Sequence, residues 1–369
     1  MNQQTVPNPG LFDLLAREWQ CPATRLCFNH DDTMLAIVGA DGAVAIARLA
    51  DNEPPEARIK IESGQMTISP RQGRPAPLIR TRLKDGAAVS ACRGGDFLVL
   101  TANGELLRLS RAGEPGARLL ADKPPIVAFD RNASSGVTAA MAADRLYLQS
   151  GERGSASEIG LEGLTADILS ISEDGSMIAL AGADGLIICR ADLSSRPERL
   201  ATLPARPLSL QWSFDGRWLA CGLETGGLRL LDTASGRMAN LTDFPGPVGV
   251  LGWNRAANAL VATGAFRIAG WSMDTPPFDA NATGALGTGR PGLAIVEAVA
   301  AHPANRLVAA GYANGRIVVA QIGSPEELIV RQAGGAVHEL RWSNDGNHLA
   351  LADSLGNVAV VTFPKQLFK

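Results

Sequence analysis

No stretch of this 369-residue chain approaches the roughly 18–20 apolar residues that a membrane-spanning helix needs, so none is expected. The first residues, MNQQTVPNPGLFDLLAREW, lack a basic region, and Asp13 interrupts their short apolar stretch. No secretory leader is read there. Cysteine is scarce, odd in number and scattered: Cys21, Cys27, Cys92, Cys189 and Cys221. Four of them lie in apolar, strand-like runs, which argues for small buried side chains rather than a disulfide framework. A reducing compartment, the cytoplasm, is expected. Excess positive charge is missing too. The net charge is −3 and the pI near 5.9, against the basic footprint that nucleic-acid binding requires.

The signatures of chemistry are equally sparse. The four histidines, His30, His302, His338 and His348, show no metal-ligand spacing, and no Cys-x-x-Cys occurs. Neither a Gly-x-Ser-x-Gly elbow nor a phosphate-binding Lys-Ser/Thr loop is present. GTGRPG (Gly287–Gly292) spells a dinucleotide loop, but Pro291 lies within it and a strand, not a helix, is expected after it. No cofactor and no metal site are therefore expected.

What the chain does have is repetition. SEDGSMIALAGADGLIICRAD from Ser172 returns as SFDGRWLACGLETGGLRLLD from Ser213 and SNDGNHLALADSLGNVAVVTF from Ser343. Five weaker copies begin at Asn29, Arg93, Arg131, Asn254 and His302. Successive starts lie 64, 38, 41, 41, 41, 48 and 41 residues apart, so the first gap holds an insertion. Each copy has an apolar run, a polar turn often containing Asp-Gly, a second run, a Gly-containing turn and a third run. Runs of five to seven residues between such turns are strands. Asp-Gly and Asn-Gly suit tight reversals because glycine accepts positive φ. Runs such as MIALAG are apolar on both faces, as strands in stacked sheets must be. GARLLAD, RPERLAT and EELIVRQ supply candidate fourth strands. The prediction is an all-β chain, a β-propeller of four-stranded antiparallel blades. Eight blades are expected, or seven if the third copy merges with its neighbour or lies outside the ring. AREWQC (Ala16–Cys21) is placed as the outer strand of the last blade, joining the two termini. Residues 1–15 form an N-terminal extension and 16–369 one propeller domain, with insertions near 51–87 and 274–292.

The copies resemble the WD-repeat family over about Ala16 to Phe363. The resemblance rests on Ser-x-Asp-Gly at 172–175, 213–216 and 343–346, on Asp-Gly or Asn-Gly at 41–42, 103–104, 184–185 and 314–315, and on LRLLD at Leu228–Asp232. No literal Trp-Asp occurs, no Gly-His opens a copy, and the family's His, Asp, Ser and Trp network is mostly missing. The resemblance implies a non-catalytic scaffold that binds a protein or peptide on one end of the ring. That end carries the loops joining second to third strands and the connectors between blades. Most of these loops hold alanine, as at Ala40, Ala102, Ala183 and Ala313. Glu224, Thr225, Phe266, Arg267 and Tyr312 depart from this, and Arg206, Phe244 and Arg290 fall in the connectors. Arginine and aromatic side chains dominate interface energetics, so these are the candidate partner-binding residues; the alternative is that Phe266 and Tyr312 plug the ring. A second candidate is the basic run in the first insertion, Arg71, Arg74, Arg80, Arg82 and Lys84, for an acidic peptide or phosphate. Its alternative is a solvated hairpin extending the first blade. LFDLLAREW places Phe12, Leu15 and Trp19 on one helical face, docked on the rim or offered to a partner. The propeller is expected to be monomeric. Readings from other classes are a propeller hydrolase or lyase, or a small-ligand or metal sensor at the channel mouth. The Ala- and Gly-rich composition suggests a bacterial source.

Overall fold

Each Ser-x-Asp-Gly motif closes a turn by its own side chains. Ser172 donates to Asp174 Oδ1 at 2.6 Å and accepts the Met177 N–H at 2.9 Å, while Gly175 takes φ +74°. Ser213 with Asp215 and Trp218, and Ser343 with Asp345 and His348, repeat these bonds at the same distances. The turns are fixed locally, so the apolar runs on either side must return beside one another as antiparallel strands.

The computed structural model, described for residues 9–62, 65–151, 154–161, 163–278, 285–365 and 367–368, turns the eight copies into eight blades. The first holds Ala23–Phe28, Met34–Gly39, Val44–Arg48 and Ile79–Arg80, and the second Gly86–Ala91, Phe97–Thr101, Leu106–Leu109 and Pro115–Leu119. The third holds Ala128–Arg131, Val137–Ala142, Arg145–Ser150 and Ala156–Gly160, and the fourth Ile168–Ile171, Met177–Gly182, Gly185–Arg190 and Glu198–Ala201. Blade five is Pro207–Trp212, Trp218–Leu223, Leu228–Asp232 and Met238–Leu241. Among the described residues, blade six has three continuous strands, Leu251–Asn254, Ala259–Ala262 and Ala269–Ser272, and isolated bridges at Ala285 and Thr288 stand at its fourth position. Blade seven is Val296–Ala301, Leu307–Tyr312, Ile317–Gln321 and Glu327–Arg331. Blade eight joins Val337–Trp342, His348–Asp353 and Asn357–Thr362 to the N-terminal strand Ala16–Gln20. First strands neighbour first strands all the way round, and the eighth returns to the first. The third copy is a blade of its own, which excludes the seven-bladed alternative.

The core is divided among the eight seams. Each seam owns one apolar cluster, and second strands feed two of them through the alternation of the pleat. Leu349 and Leu351 face blade seven, whereas Ala350 and Ala352 face blade one. Ile178 and Leu180 face blade three, whereas Ala179 and Ala181 face blade five. Burying one such Leu or Ile contributes about 1.5–3 kcal/mol.

Every seam also carries a polar stitch. Trp212, Trp253 and Trp342 donate their indole N–H to the carbonyls of Ser170, Gln211 and Ala300 in the preceding blade, at 3.0, 3.3 and 3.0 Å. Asn29 reaches Gly95 O in blade two, Asn132 reaches Ser172 O and Glu173 O in blade four, and Asn254 reaches Asn305 O and Leu307 O in blade seven. Arg93 donates to Ala133 O across the second seam, and His302 Nε2 bonds Gly346 O across the seventh. At the closing seam Asp32 accepts the Asn344 and Asp345 N–H groups. These bonds tie each blade to the next.

The ring is shut by the N-terminal strand, which pairs with Asn357–Thr362 in register Ala16↔Val361 to Gln20↔Asn357. The helix before it is shorter than the sequence pattern suggested, Leu11–Leu15 only. Phe12 and Leu15 are buried between blades seven and eight. Trp19 instead lies in the strand and donates to Ala76 O at 2.8 Å, because pairing with the last blade overrides the helical pattern there. The first insertion is not one hairpin. It holds a short helix, Pro55–Arg58, a two-stranded ribbon, Ile59–Glu62 with Gln65–Ile68, and the fourth strand of blade one. Arg58 ties it to the N-terminus by donating to Leu14 O at 2.7 Å.

Two consequences can be measured. Arg331 and Asp353 form a buried pair joining blades seven and eight at 2.9 Å, and Arg331 also donates to Gly315 O and Gly335 O. Burial opposes the Asp353 charge, but hydrogen bonds from Asn357 and Arg331 outweigh it and hold its pKa below the usual range. Asp353→Ala leaves a buried guanidinium unpaired and is expected to cost about 3–5 kcal/mol in urea unfolding. A loss under 1 kcal/mol would show that the pair does not hold this seam.

His302 Nδ1 accepts the Ala304 and Asn305 N–H groups at 3.1 and 3.0 Å, so this nitrogen is unprotonated in the fold. Burial lowers its pKa, against opposing effects from Gly346 O and Asp345. A folded-state pKa below the unfolded one leaves stability undiminished above about pH 6.5 and erodes it as pH falls through that value. The urea midpoint is expected to drop between pH 7.5 and 5.5, and the drop to be smaller in His302→Gln. Equal slopes for the two proteins would show that His302 is not its source.

Candidate interaction face

Two kinds of segment meet at the upper end of the ring: the loops between second and third strands, and the connectors from each fourth strand to the next blade. They are bonded to one another by a recurring backbone contact. The first residue of a loop donates its N–H to the connector entering its own blade: Ala40 to Pro22 O, Ala102 to Asp85 O, Glu224 to Arg206 O, Ala313 to Ile295 O and Ser354 to Ala336 O, at 2.6–2.9 Å. The loops are correspondingly tight. Gly315, at φ +79°, lies so close to Gly334 that an added Cβ would come within 2.3 Å of its backbone. A face made of such loops presents side chains from a rigid frame.

The exposed large apolar side chains concentrate at this end: Val127, Phe266, Leu293 and Leu355. Phe266 is 45% exposed and Leu293 98% exposed. The Gly292 N–H bonds Phe266 O at 3.1 Å, which sets the connector carrying Leu293 beside the loop carrying Phe266. Arg267, half-buried, donates to Leu286 O at 3.1 Å and shapes that loop from below. The Arg290 backbone N–H bonds Glu327 Oε2 at 3.1 Å, and its side chain is exposed. Arg206 and Glu224, joined through their backbones, are both exposed, as is Thr225. Thus Phe266, Arg267 and Arg290 belong to one loop group between blades six and seven, and Arg206 and Glu224 to another at blade five.

Two of the candidate residues are placed differently from the sequence expectation. Tyr312 is only 2% exposed and packs in the cluster between blades six and seven with Ile268 and Val296. It is the last residue of its strand, paired with Val296, so its ring turns into the seam rather than onto the face. Burial, reinforced by Glu327 and opposed by Arg316, pushes its phenol up to about 12. It is a core residue, not a contact residue. Phe244 is half-buried with its ring 6.1 Å from that of Trp271, and also serves the seam. Leu293 was missed by sequence reasoning. The available signal was a large apolar residue directly after Pro291-Gly292, in a connector where no strand can bury it.

The basic run is dispersed. Arg71 forms an ion pair with Asp51 and donates to Glu53 O, which makes it part of the clasp holding the insertion. Arg80 is in the fourth strand of blade one, and Arg74, Arg82 and Lys84 are exposed. GTGRPG is used structurally: Thr288 Oγ1 accepts the Gly323 N–H and Gly289 donates to Ser324 O, fastening blade six to blade seven. Along the channel, His338 Nε2 bonds Ala23 O at 2.8 Å and Glu339 pairs with Arg341 at 3.0 Å. Among the described residues, no three His, Cys, Asp or Glu side chains stand close enough to hold a metal ion.

No family model matches the chain, and no curated protein matches it. Solved structures do. Sqt1 of Saccharomyces cerevisiae is 13% identical, over 96% of this chain and 100% of that one, with a TM-score of 0.67. The C-terminal WD40 domain of Sif2 is 15% identical, over 95% and 98%, with a TM-score of 0.64. The Pan2 WD40 domain of Neurospora crassa is 13% identical, over 94% and 91%, with a TM-score of 0.56. Identities this low speak for architecture alone, and together with the closed cycle of eight blades they establish that the chain folds as an eight-bladed β-propeller similar to these domains.

Proposed function

We propose that this propeller is a non-catalytic scaffold that docks a protein or peptide on its upper face, in the sector of blades five to seven. The observation that carries the reading is the adjacency of Phe266 and Leu293, two exposed apolar side chains on tightly held loops. Arg206, Glu224 and Arg290 provide the polar surround, which matches the anatomy of an interface core and its rim. A frame whose loops are already hydrogen-bonded loses little conformational freedom on binding. A reducing compartment suits the buried thiols of this chain; burial pushes the Cys27, Cys189 and Cys221 thiols up to about 12, so they stay protonated and inert.

The test places a photo-reactive p-benzoylphenylalanine at Leu293 on the upper face or at Phe214 on the opposite end, and cross-links in lysate. A defined partner is expected from position 293 and not from 214. The same partner should bind at least tenfold more weakly to a folded Phe266→Ala, Leu293→Ser, Arg290→Glu variant. Cross-linking from 214 alone, or unchanged affinity in the variant, would place the interface elsewhere.

A further inference from the structure

In the second half of the ring, the residue just before the first turn of each blade is Trp212, Trp253, Ala301 and Trp342. The three tryptophans do one job. Each lays its ring over the seam and donates to the carbonyl of the preceding blade two residues before that blade's turn. Blade seven has alanine instead. The carbonyl that an indole at position 301 would meet belongs to Gly252, and no side chain among the described residues donates to it. A cavity of about 230 Å³ opens here, lined by Gly252, Trp253, Ala300, Ala301, Arg341 and Trp342. That is several times the roughly 30 Å³ share of one water molecule.

The neighbouring rings cannot swing in to fill it. Trp253 and Trp342 are held by their own bonds to Gln211 O and Ala300 O, and Trp342 is wedged against His302 at 4.8 Å and Phe363 at 5.5 Å. Gly252 leaves its carbonyl approachable from this side, since a Cβ there would already lie 3.5 Å from the Ala301 Cβ. Arg341, paired with Glu339, brings a flat cation that stacks well on an aromatic face.

We propose that this cavity binds a planar heteroaromatic ring bearing a ring N–H, of the indole type, with the N–H donated to Gly252 O. The ligand takes the place of the side chain that blade seven lacks. A cavity left where a shape is missing accepts a free molecule of that shape. The site lies at the end of the channel opposite the proposed docking face, so its fate is independent of that reading.

The probe is 5-fluoroindole, followed by fluorine NMR with the full chain. Saturable binding is expected with a dissociation constant of about 0.1–1 mM, the range for a ligand of so few atoms. Ala301→Trp, which restores the ring, is expected to weaken it at least tenfold. Gly252→Ala, a smaller change that narrows the same floor, is expected to weaken it as well and keeps the test open should the first variant fold poorly. Phe266→Ala, on the other face, should leave it unchanged. Binding of N-acetyl-5-fluorotryptophanamide would assign the site to a ring carried on a peptide, and binding of 5-fluoroindole alone to a free small molecule. No saturable binding of either probe by the wild type, or undiminished binding in both cavity variants, would overturn the proposal.

Discussion

The seam between adjacent blades is the constraint on which everything else in this molecule rests. A four-stranded blade with apolar residues on both faces cannot exist alone in water, and a neighbour on each side is the only way to bury both. Eight blades in a ring satisfy that demand without leaving an uncovered face. The alternation of the pleat then decides which residue serves which seam, as Leu351 and Ala352 show by facing opposite neighbours. The apolar contact supplies most of the stabilisation. The indole and amide stitches add direction, because a carbonyl at one depth accepts only a donor placed at the same depth in the next blade.

Closure is handled by different means at different places. The N-terminal strand completes the last blade, so the two ends of the chain are held in one sheet. Arg331, Asp353, Gly315 and Gly335 then lock the neighbouring seam in a buried hydrogen-bonded network, and Phe12 lies with its ring 5.4 Å from the Arg331 guanidinium. The first insertion is anchored to this closure through Arg58 and Trp19. It is part of the fastening as well as an excursion from blade one.

Regularity builds the ring, and departures from regularity give it individual surfaces. Where loops hold alanine, the upper end is smooth. Phe266 and Leu293 rise where the loop of blade six and the long connector behind it depart from the pattern. At the other end, alanine in place of tryptophan opens a cavity rather than closing a seam. Both features arise where residues differ from their counterparts in the neighbouring blades.

The local order of the chain settled the architecture. Turn chemistry at Ser172, Ser213 and Ser343, the period near 41 residues and strands apolar on both faces all act within one repeat, and they led to blades, their number and the strand that closes the ring. The positions of individual side chains were decided only in three dimensions. Tyr312 reads as a loop-edge aromatic but turns into a seam, because its pairing with Val296 sets which way the ring points. Arg71 reads as one of a basic run but faces Asp51, and Phe244 reads as a connector side chain on the face but packs beside Trp271. Leu293 is exposed because it lies in a connector, bonded beside the Phe266 loop, outside any strand. A turn is dictated by its immediate neighbours, whereas burial depends on what a partner tens of residues away brings to the same seam, and that information exists only once the ring has closed.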